Sequence, residues 1–527
     1  MSSAEILIIG SGPAGVSAAF PLVEAGVDVV MLHGGEKGKI NISGENFLDL
    51  RANDSEQWKW MVGRDFHALK MSEAASPKLR APSLSYVFKN FHDANQIQSD
   101  NFITLGSLAP GGLSNAWGCG VACLTDSELS GFPYLKDGLN ISYERVGKRI
   151  GISGRIHDDL TDYFALDHLA EPPVEMDLQH SYLASNYAKH KKYFLANNFK
   201  MGRARVAVLT KDMKNRYSCN LCQNCLWGCS RGSMYSAKYD LDTLRSSRNF
   251  KDFSGFIVDD LNSSGLNWEV SGKFSDSGER RTFIANQVIL AAGTLASTRL
   301  VLKYLGYRSP VKMLSSPTAA FMLWMPKLLG TQVKSGFGLG QLSFVLDLDA
   351  NVSAFGSTFN SLGMPTSEFI KYIPIDRRNA LNLFQSIATS TLIGNIFLPG
   401  NFTDASVYLD KKNILKITGG YKKDVHNLFE RAYSILRKSY WKMGAIILPG
   451  SFKIAMPGSD IHYSGTLPMK KIPKIGESSE IGEISGMKGV FSVDGASLPL
   501  LLEKSHTFTI MANADRIGTL LAERLRN

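Results

Sequence analysis

Cysteine is scarce in this chain: 527 residues carry six, and four of these fall within CNLCQNCLWGC, from Cys219 to Cys229. A small scaffold held together by many disulfides is therefore excluded. Long apolar runs are also lacking, and no stretch reaches the about 18 residues of a membrane span. The nearest, SIATSTLIGNIFLPGNF (386–402), is broken by Ser, Thr, Gly and Asn. It reads as a buried strand, with a membrane-docking patch as the alternative. Charge of one sign is not abundant either: 58 Lys and Arg face 48 Asp and Glu, a formal +10. The basic residues are scattered and form no arm or stripe, so no nucleic acid partner is expected. An acidic or phosphorylated substrate, or an anionic surface, stays open beside an ordinary basic surface. Internal repeats and low-complexity tails are absent. The remaining composition, 44% hydrophobic and 20% charged, is that of a globular protein whose length predicts two to four domains.

What is there begins at Glu5, with EILIIGSGPAGVSAAFPLVEAGVDVVML. ILII is a fully apolar run, as expected for a parallel strand covered on both faces. GSGPAG places Gly10, Gly12 and Gly15 at the G-x-G-x-x-G spacing, between a strand and a helix. Gly10 allows the tight turn, Gly12 lets a pyrophosphate reach the backbone, and Gly15 lets the helix pack close. The helix N-terminus favours the phosphates through its free N–H groups and dipole. VDVVML is the second strand. The acidic residue that normally ends it and holds a ribose is replaced by His33, which either bonds ribose hydroxyls or is a surface histidine beside the site. A cleaved leader of about 15–30 residues would destroy this motif. A cytoplasmic location is therefore expected, where thiols stay reduced, and this counts against disulfides. Two further segments are the apolar strand and helix QVILAAGTLASTRLVL (287–302) and the glycine-rich loop GSLAPGGLSNAWGCG (106–120). FAD is preferred over NAD because the first resembles the strand that closes the nucleotide site in two-dinucleotide-type flavoproteins and the second is suited to wrapping a large flat cofactor.

Four blocks in order resemble the glucose–methanol–choline (GMC) oxidoreductases. They are GSGPAG, GGLSNAWG (111–118), VILAAGTLASTRL (288–300), and the C-terminal series IHYSGTLPM (461–469), GVFSVDGASLP (489–499) and SHTFTIMANADRIG (505–518). The resemblance implies an α/β fold: a Rossmann-like, two-dinucleotide-binding FAD domain with an inserted α+β substrate domain on a large, mostly antiparallel sheet. The expected division gives 1–36, 96–150, 215–315 and 481–527 to the FAD domain. It gives 37–95 to a cover segment, and 151–214 with 316–480 to the substrate domain. Cofactor contacts are implied for Ser11, Ala14, Gly111, Gly112, Ser114, Asn115, Trp117, Gly118, Val258, Ala292 and Gly293. Asp494 and Gly495 are expected near the ribityl chain or pyrophosphate. Thr507 would bring a helix N-terminus to the flavin's O2 side. GGLSNAWG contains no histidine for a covalent link, which favours non-covalent FAD.

Oxidising an alcohol sends a hydride to the flavin and the hydroxyl proton to a base, a task that suits histidine. By position in the motifs, His462 matches the family's first catalytic histidine. His506 matches the second position in the form that keeps histidine there. His462 is thus expected as general base, and His506 as its partner and a cofactor contact. A small-molecule alcohol, with a sugar or sugar-containing metabolite preferred, is the expected substrate. Hydrophobic alcohols and sterols are alternatives, as are a hydroxynitrile-lyase-like activity and a non-catalytic flavoprotein.

The run C-x2-C-x2-C-x3-C has the spacing of the bacterial iron–sulfur motif, although Ser230 stands where proline is usual. Some GMC dehydrogenases carry a cysteine-rich insert near this point, in a subset with such a cluster. Three readings stay open for Cys219, Cys222, Cys225 and Cys229: a 4Fe-4S or 3Fe-4S cluster, unligated thiols or a local disulfide in a tight turn, and zinc or another metal. A cluster would pass electrons singly to a protein partner or quinone. Cys119 and Cys123 read as structural.

Overall fold

The computed structural model describes residues 3–38, 42–71, 76–136, 138–332, 334–371 and 373–526. Residues 39–41 and 72–75 of the expected cover segment lie outside the described residues. Two seven-stranded sheets organise the molecule. In the first, strand Ser3–Ile9 lies between Val29–His33 and Arg280–Leu290, parallel to both. Phe250–Ser254 extends it in parallel beyond Val29–His33. On the other side the antiparallel strands Asn267–Phe274 and Phe256–Ser264 follow Arg280–Leu290. The short strand Val490–Ser492 pairs with its C-terminal end.

The apolar run of the first strand is explained by its two faces. Ile6 and Ile8 enter one core, with helices Pro13–Glu24 and Thr507–Arg526. Leu7 and Ile9 enter another, with Phe283 and helix Thr294–Tyr304. Successive side chains of a strand point to opposite faces, so both parities must be apolar. The two helices pack so closely that a Cβ on Gly518 would lie 2.4 Å from the Ala18 carbonyl oxygen.

The second sheet is antiparallel throughout, in the order Ile446–Ile447, Thr318–Trp324, Thr391–Phe397, Val352–Asn360, Leu342–Asp349, Phe199–Arg203. Strand Thr391–Phe397 is the stretch that came nearest to a membrane-span pattern, and it sits mid-sheet. One face, with Phe321, Leu323, Phe344, Leu346, Leu392 and Ile396, packs on helices Leu178–Lys189 and Val425–Lys442. The opposite parity, Ile393, Asn395 and Phe397 with Phe355, Ser357 and Phe359, faces a cavity shared with the first sheet. Two expected substrate strands, Thr403–Leu409 and Leu415–Tyr421, belong instead to a separate four-stranded sheet with Val311–Met313 and Ile97–Asp100. Among the described residues no helix is long and apolar enough to cross a membrane.

Candidate active site

The glycine turn after the first strand leaves no room for side chains. Gly10 has φ +108°, and a Cβ there would lie 2.2 Å from the Ala291 carbonyl oxygen. One on Gly15 would lie 2.0 Å from the Gly10 oxygen. A Cβ on Gly112 would come within 3.1 Å of Gly12 Cα, so the two glycine loops meet backbone to backbone. No side chain caps helix Pro13–Glu24, whose first N–H groups are left for a ligand.

From this turn a cavity of about 1070 Å³ runs to the second sheet. Its wall includes Gly10, Ser11, Gly12, Ala14, His33, Gly112, Trp117, Gly118, Val258, Ala292, Gly293, Asp494, Gly495, Thr507 and both expected histidines. Four expected contacts stand behind the wall. Gly15 makes the close helix–strand approach. Gly111 turns the loop at φ +86°. Ser114 Oγ donates to the Gly111 carbonyl and accepts from Ala237 N–H. Asn115 Nδ2 donates to the Pro110 and Gly112 carbonyls while its Oδ1 accepts from Ser236.

Among the buried polar atoms on this wall without a hydrogen-bond partner are Ser11 Oγ, His33 Nδ1 and His506 Nδ1. An orphaned buried polar atom is destabilising unless a ligand or water completes it. Together with the glycine cradle they fit a long dinucleotide such as FAD. His33 is oriented from behind, with Nε2 2.9 Å from Asp252 Oδ2. Burial alone would raise the Asp252 carboxyl, but hydrogen bonds from His33 and Arg245 hold it below the usual carboxylate range. Asp494 uses its carboxylate on the protein, accepting from Gly293 N–H at 2.9 Å, Ser297 Oγ at 2.5 Å and Ala496 N–H at 3.0 Å. It thereby ties the start of helix Thr294–Tyr304 to the strand end.

The His462 and His506 rings meet edge to face with centroids 4.6 Å apart, although 43 residues intervene in sequence. The Phe397 ring lies 5.6 Å from that of His462. Burial pushes His462 down to about 4. Burial, then the neighbouring His462, pushes His506 well below the ordinary imidazole range. Both rings are thus neutral at neutral pH and able to accept a proton. Behind His462, fully buried Asp460 has Oδ2 3.6 Å from Nδ1. Asp460 accepts from Ser315 Oγ at 2.9 Å and Ser316 N–H at 2.8 Å, and burial pushes it up to about 7. The His506 loop is pinned by Lys504, whose buried Nζ bonds Glu128 and the Tyr163 carbonyl.

The sequence reading missed Asp252, Asp460, Gln223, Asn360 and Glu503, all at or beside the wall. Asp460 had a signal in its spacing from His462, but the others come from distant segments and no pattern marks them.

All six cysteines are free. Among the described residues no three His, Cys, Asp or Glu converge on a point that could hold a metal. Burial raises Cys219 to about 11 and Cys225 well above its ordinary value, so the neutral S–H of these two is favoured. The arrangement does not fit an iron–sulfur cluster. The segment is instead a joint. Trp227 packs on Phe47 and Trp60, Asn224 Nδ2 donates to the Ser43 and Glu45 carbonyls, and Phe47 N–H donates to the Cys222 carbonyl.

Solved structures with this fold include a formate oxidase at 12% identity and TM-score 0.63, covering 100% of this chain and 99% of that one. A variant of the Aspergillus oryzae RIB40 formate oxidase, made to test FAD modification, matches at 13% and 0.62, covering 100% and 99%. Pyridoxine 4-oxidase from Mesorbium loti matches at 14% and 0.61, covering 98% and 99%. The chain thus shares its overall fold with these oxidases over nearly its whole length. No protein-family model and no curated protein matches the sequence significantly.

Proposed function

We propose that this protein is a FAD-dependent oxidoreductase of the GMC type, acting on a hydroxyl group of a sugar or sugar-containing metabolite. One observation carries the reading: the His462–His506 pair, 4.6 Å between ring centroids, stands on the same cavity as the Gly10–Gly12 turn. FAD supplies the hydride acceptor when bound. The backbone of Gly10–Gly12, Ser11 Oγ and the helix N-terminus would hold its pyrophosphate, and His33 its adenosine ribose. His462 takes the hydroxyl proton at Nε2, since Nδ1 is turned to Asp460. His506 orients the same oxygen and keeps water from it.

The wall of the second sheet supports a polar substrate. It alternates rings (Phe355, Phe359, Phe397) with hydrogen-bonding groups (Ser357, Asn395), a pairing that suits the faces and hydroxyls of a sugar. The related folds belong to proteins named as oxidases, so oxygen is the first acceptor to test. No step is routed through the cysteines.

The test is anaerobic titration of the FAD-loaded protein with mono- and oligosaccharides and with simple alcohols, followed at the flavin absorbance band. Bleaching by a sugar at low concentration is expected. Unchanged absorbance with every alcohol would overturn the redox reading, and bleaching only by apolar alcohols would overturn the sugar.

A further inference from the structure

The cysteine segment contributes more to the cavity than support. Gln223, between Cys222 and Cys225, sits at φ +65° and is 1% exposed. This places its side chain on the cavity wall, across from the first sheet. Its Nε2 donates to Asn360 Oδ1 at 3.1 Å, while its Oε1 is buried without a partner.

Which end of this amide faces the ligand is fixed by a chain of bonds. Asp177 caps helix Leu178–Lys189 by accepting from His180 N–H. Burial would raise its carboxyl, but the charge and hydrogen bonds of His180 bring it down to about 2, so it is an acceptor only. Asn360 must therefore point Nδ2 at Asp177 Oδ2, at 3.1 Å. Its Oδ1 then accepts from Leu362 N–H at 2.7 Å and from Gln223. The Gln223 amide cannot turn over without setting oxygen against oxygen, and Oε1 remains for a ligand.

We propose that Gln223 is a specificity-determining residue: its Oε1 accepts a hydrogen bond from a hydroxyl or N–H at the end of the substrate remote from the oxidised carbon. The sheet register supplies the length. Phe355 pairs with Phe397, whose ring lies beside His462. Phe359, beside the Gln223 partner Asn360 and on the cavity face, is four residues further along the same strand, ~14 Å at ~3.4 Å per residue. A substrate that spans both is elongated, with the dimensions of an oligosaccharide or a sugar conjugate. A carboxylate or other bare acceptor at the far end is rejected.

This rests on the alcohol-oxidation reading. The test uses FAD-loaded protein and anaerobic flavin bleaching with matched pairs, each a 1-alkanol and the terminal diol of the same length, from hexyl to dodecyl. The distal hydroxyl stands in for that of a sugar. Wild type is expected to favour the diol at one chain length by at least about tenfold in kcat/KM, because the mono-alcohol leaves Oε1 unpaired. In Gln223→Met and in Gln223→Gly, the second of which relieves the positive φ, the ratio falls to about one. FAD content and Tm report whether each variant has folded. Equal rates for diol and mono-alcohol in wild type, or a ratio that survives both substitutions, overturn the role of Gln223 and leave alcohol oxidation standing. Absence of bleaching by every member of the panel overturns this inference, and the oxidation reading falls with it only if sugars also leave the flavin unbleached.

Discussion

The role proposed for His462 depends on its protonation state. An imidazole with the ordinary value near 6.5 would be half protonated in mildly acid solution, whereas burial brings this one down to about 4 and keeps it in the neutral, proton-accepting form through that range. The base is the neutral form, so activity is present above the folded value and is lost as pH falls through it. The acid limb of kcat/KM in this protein is therefore expected near pH 4, where an unperturbed histidine would place it near 6.5. A limb at 6.5 would show that His462 is not held at the lowered value. His462→Gln is expected to lower kcat by about 10²- to 10⁴-fold while FAD content stays at the wild-type level. A drop in FAD content of the same size would make the residue a cofactor contact instead. Asp460 belongs to the same unit, and Asp460→Ala is expected to reduce kcat with little change in KM, since it frees the His462 ring.

At the scale of the element, two devices hold the site. The glycine turn has one solution: Gly10→Ala must push the Ala291 carbonyl, 2.2 Å from the new Cβ, away from the strand that closes the site. Loss of FAD from the purified protein is the expected result, read from the ratio of flavin to protein absorbance. The C-terminal loop is held by a charge that is almost fully buried, Lys504 at 2% side-chain exposure, against Glu128. Removing one partner of a buried pair strands the other, so Lys504→Met is expected to destabilise by about 3–5 kcal/mol, measured by denaturant unfolding of the FAD-loaded protein. The turn was legible in the sequence because its function is a spacing of glycines along one strand and helix. The Lys504–Glu128 pair was not, because each partner lies in a segment whose local pattern is silent about the other. Asp252 and Asn360 escaped for the same reason: their roles arise from sheet pairing between strands far apart in the chain. The strands of the substrate half were legible as strands from their alternation, but their division between two sheets depends on partners that no local pattern names.

On the scale of the whole molecule, the cysteine run shows where a spacing argument ends. C-x2-C-x2-C-x3-C matched an iron–sulfur motif in one dimension. In three dimensions its residues are used in different directions: Gln223 toward the second sheet, Cys225 against Gly338, and Trp227 into the ring cluster with Phe47 and Trp60. The segment therefore joins Phe47 and Trp60 to the second sheet, and its buried Cys225 fills space as a small apolar group does. Two consequences can be measured together. Protein purified anaerobically is expected to hold iron and acid-labile sulfide at background, and to titrate six thiols after unfolding but far fewer when native, because burial raises Cys119, Cys123, Cys219, Cys222 and Cys225. Trp227→Ala opens the ring cluster, which is expected to destabilise the chain by about 3–5 kcal/mol and to speed native thiol modification as the joint loosens. About three or four irons per chain, with native thiols protected until a chelator is added, would instead return the run to a metal site and move the electron path from oxygen to a protein or quinone acceptor.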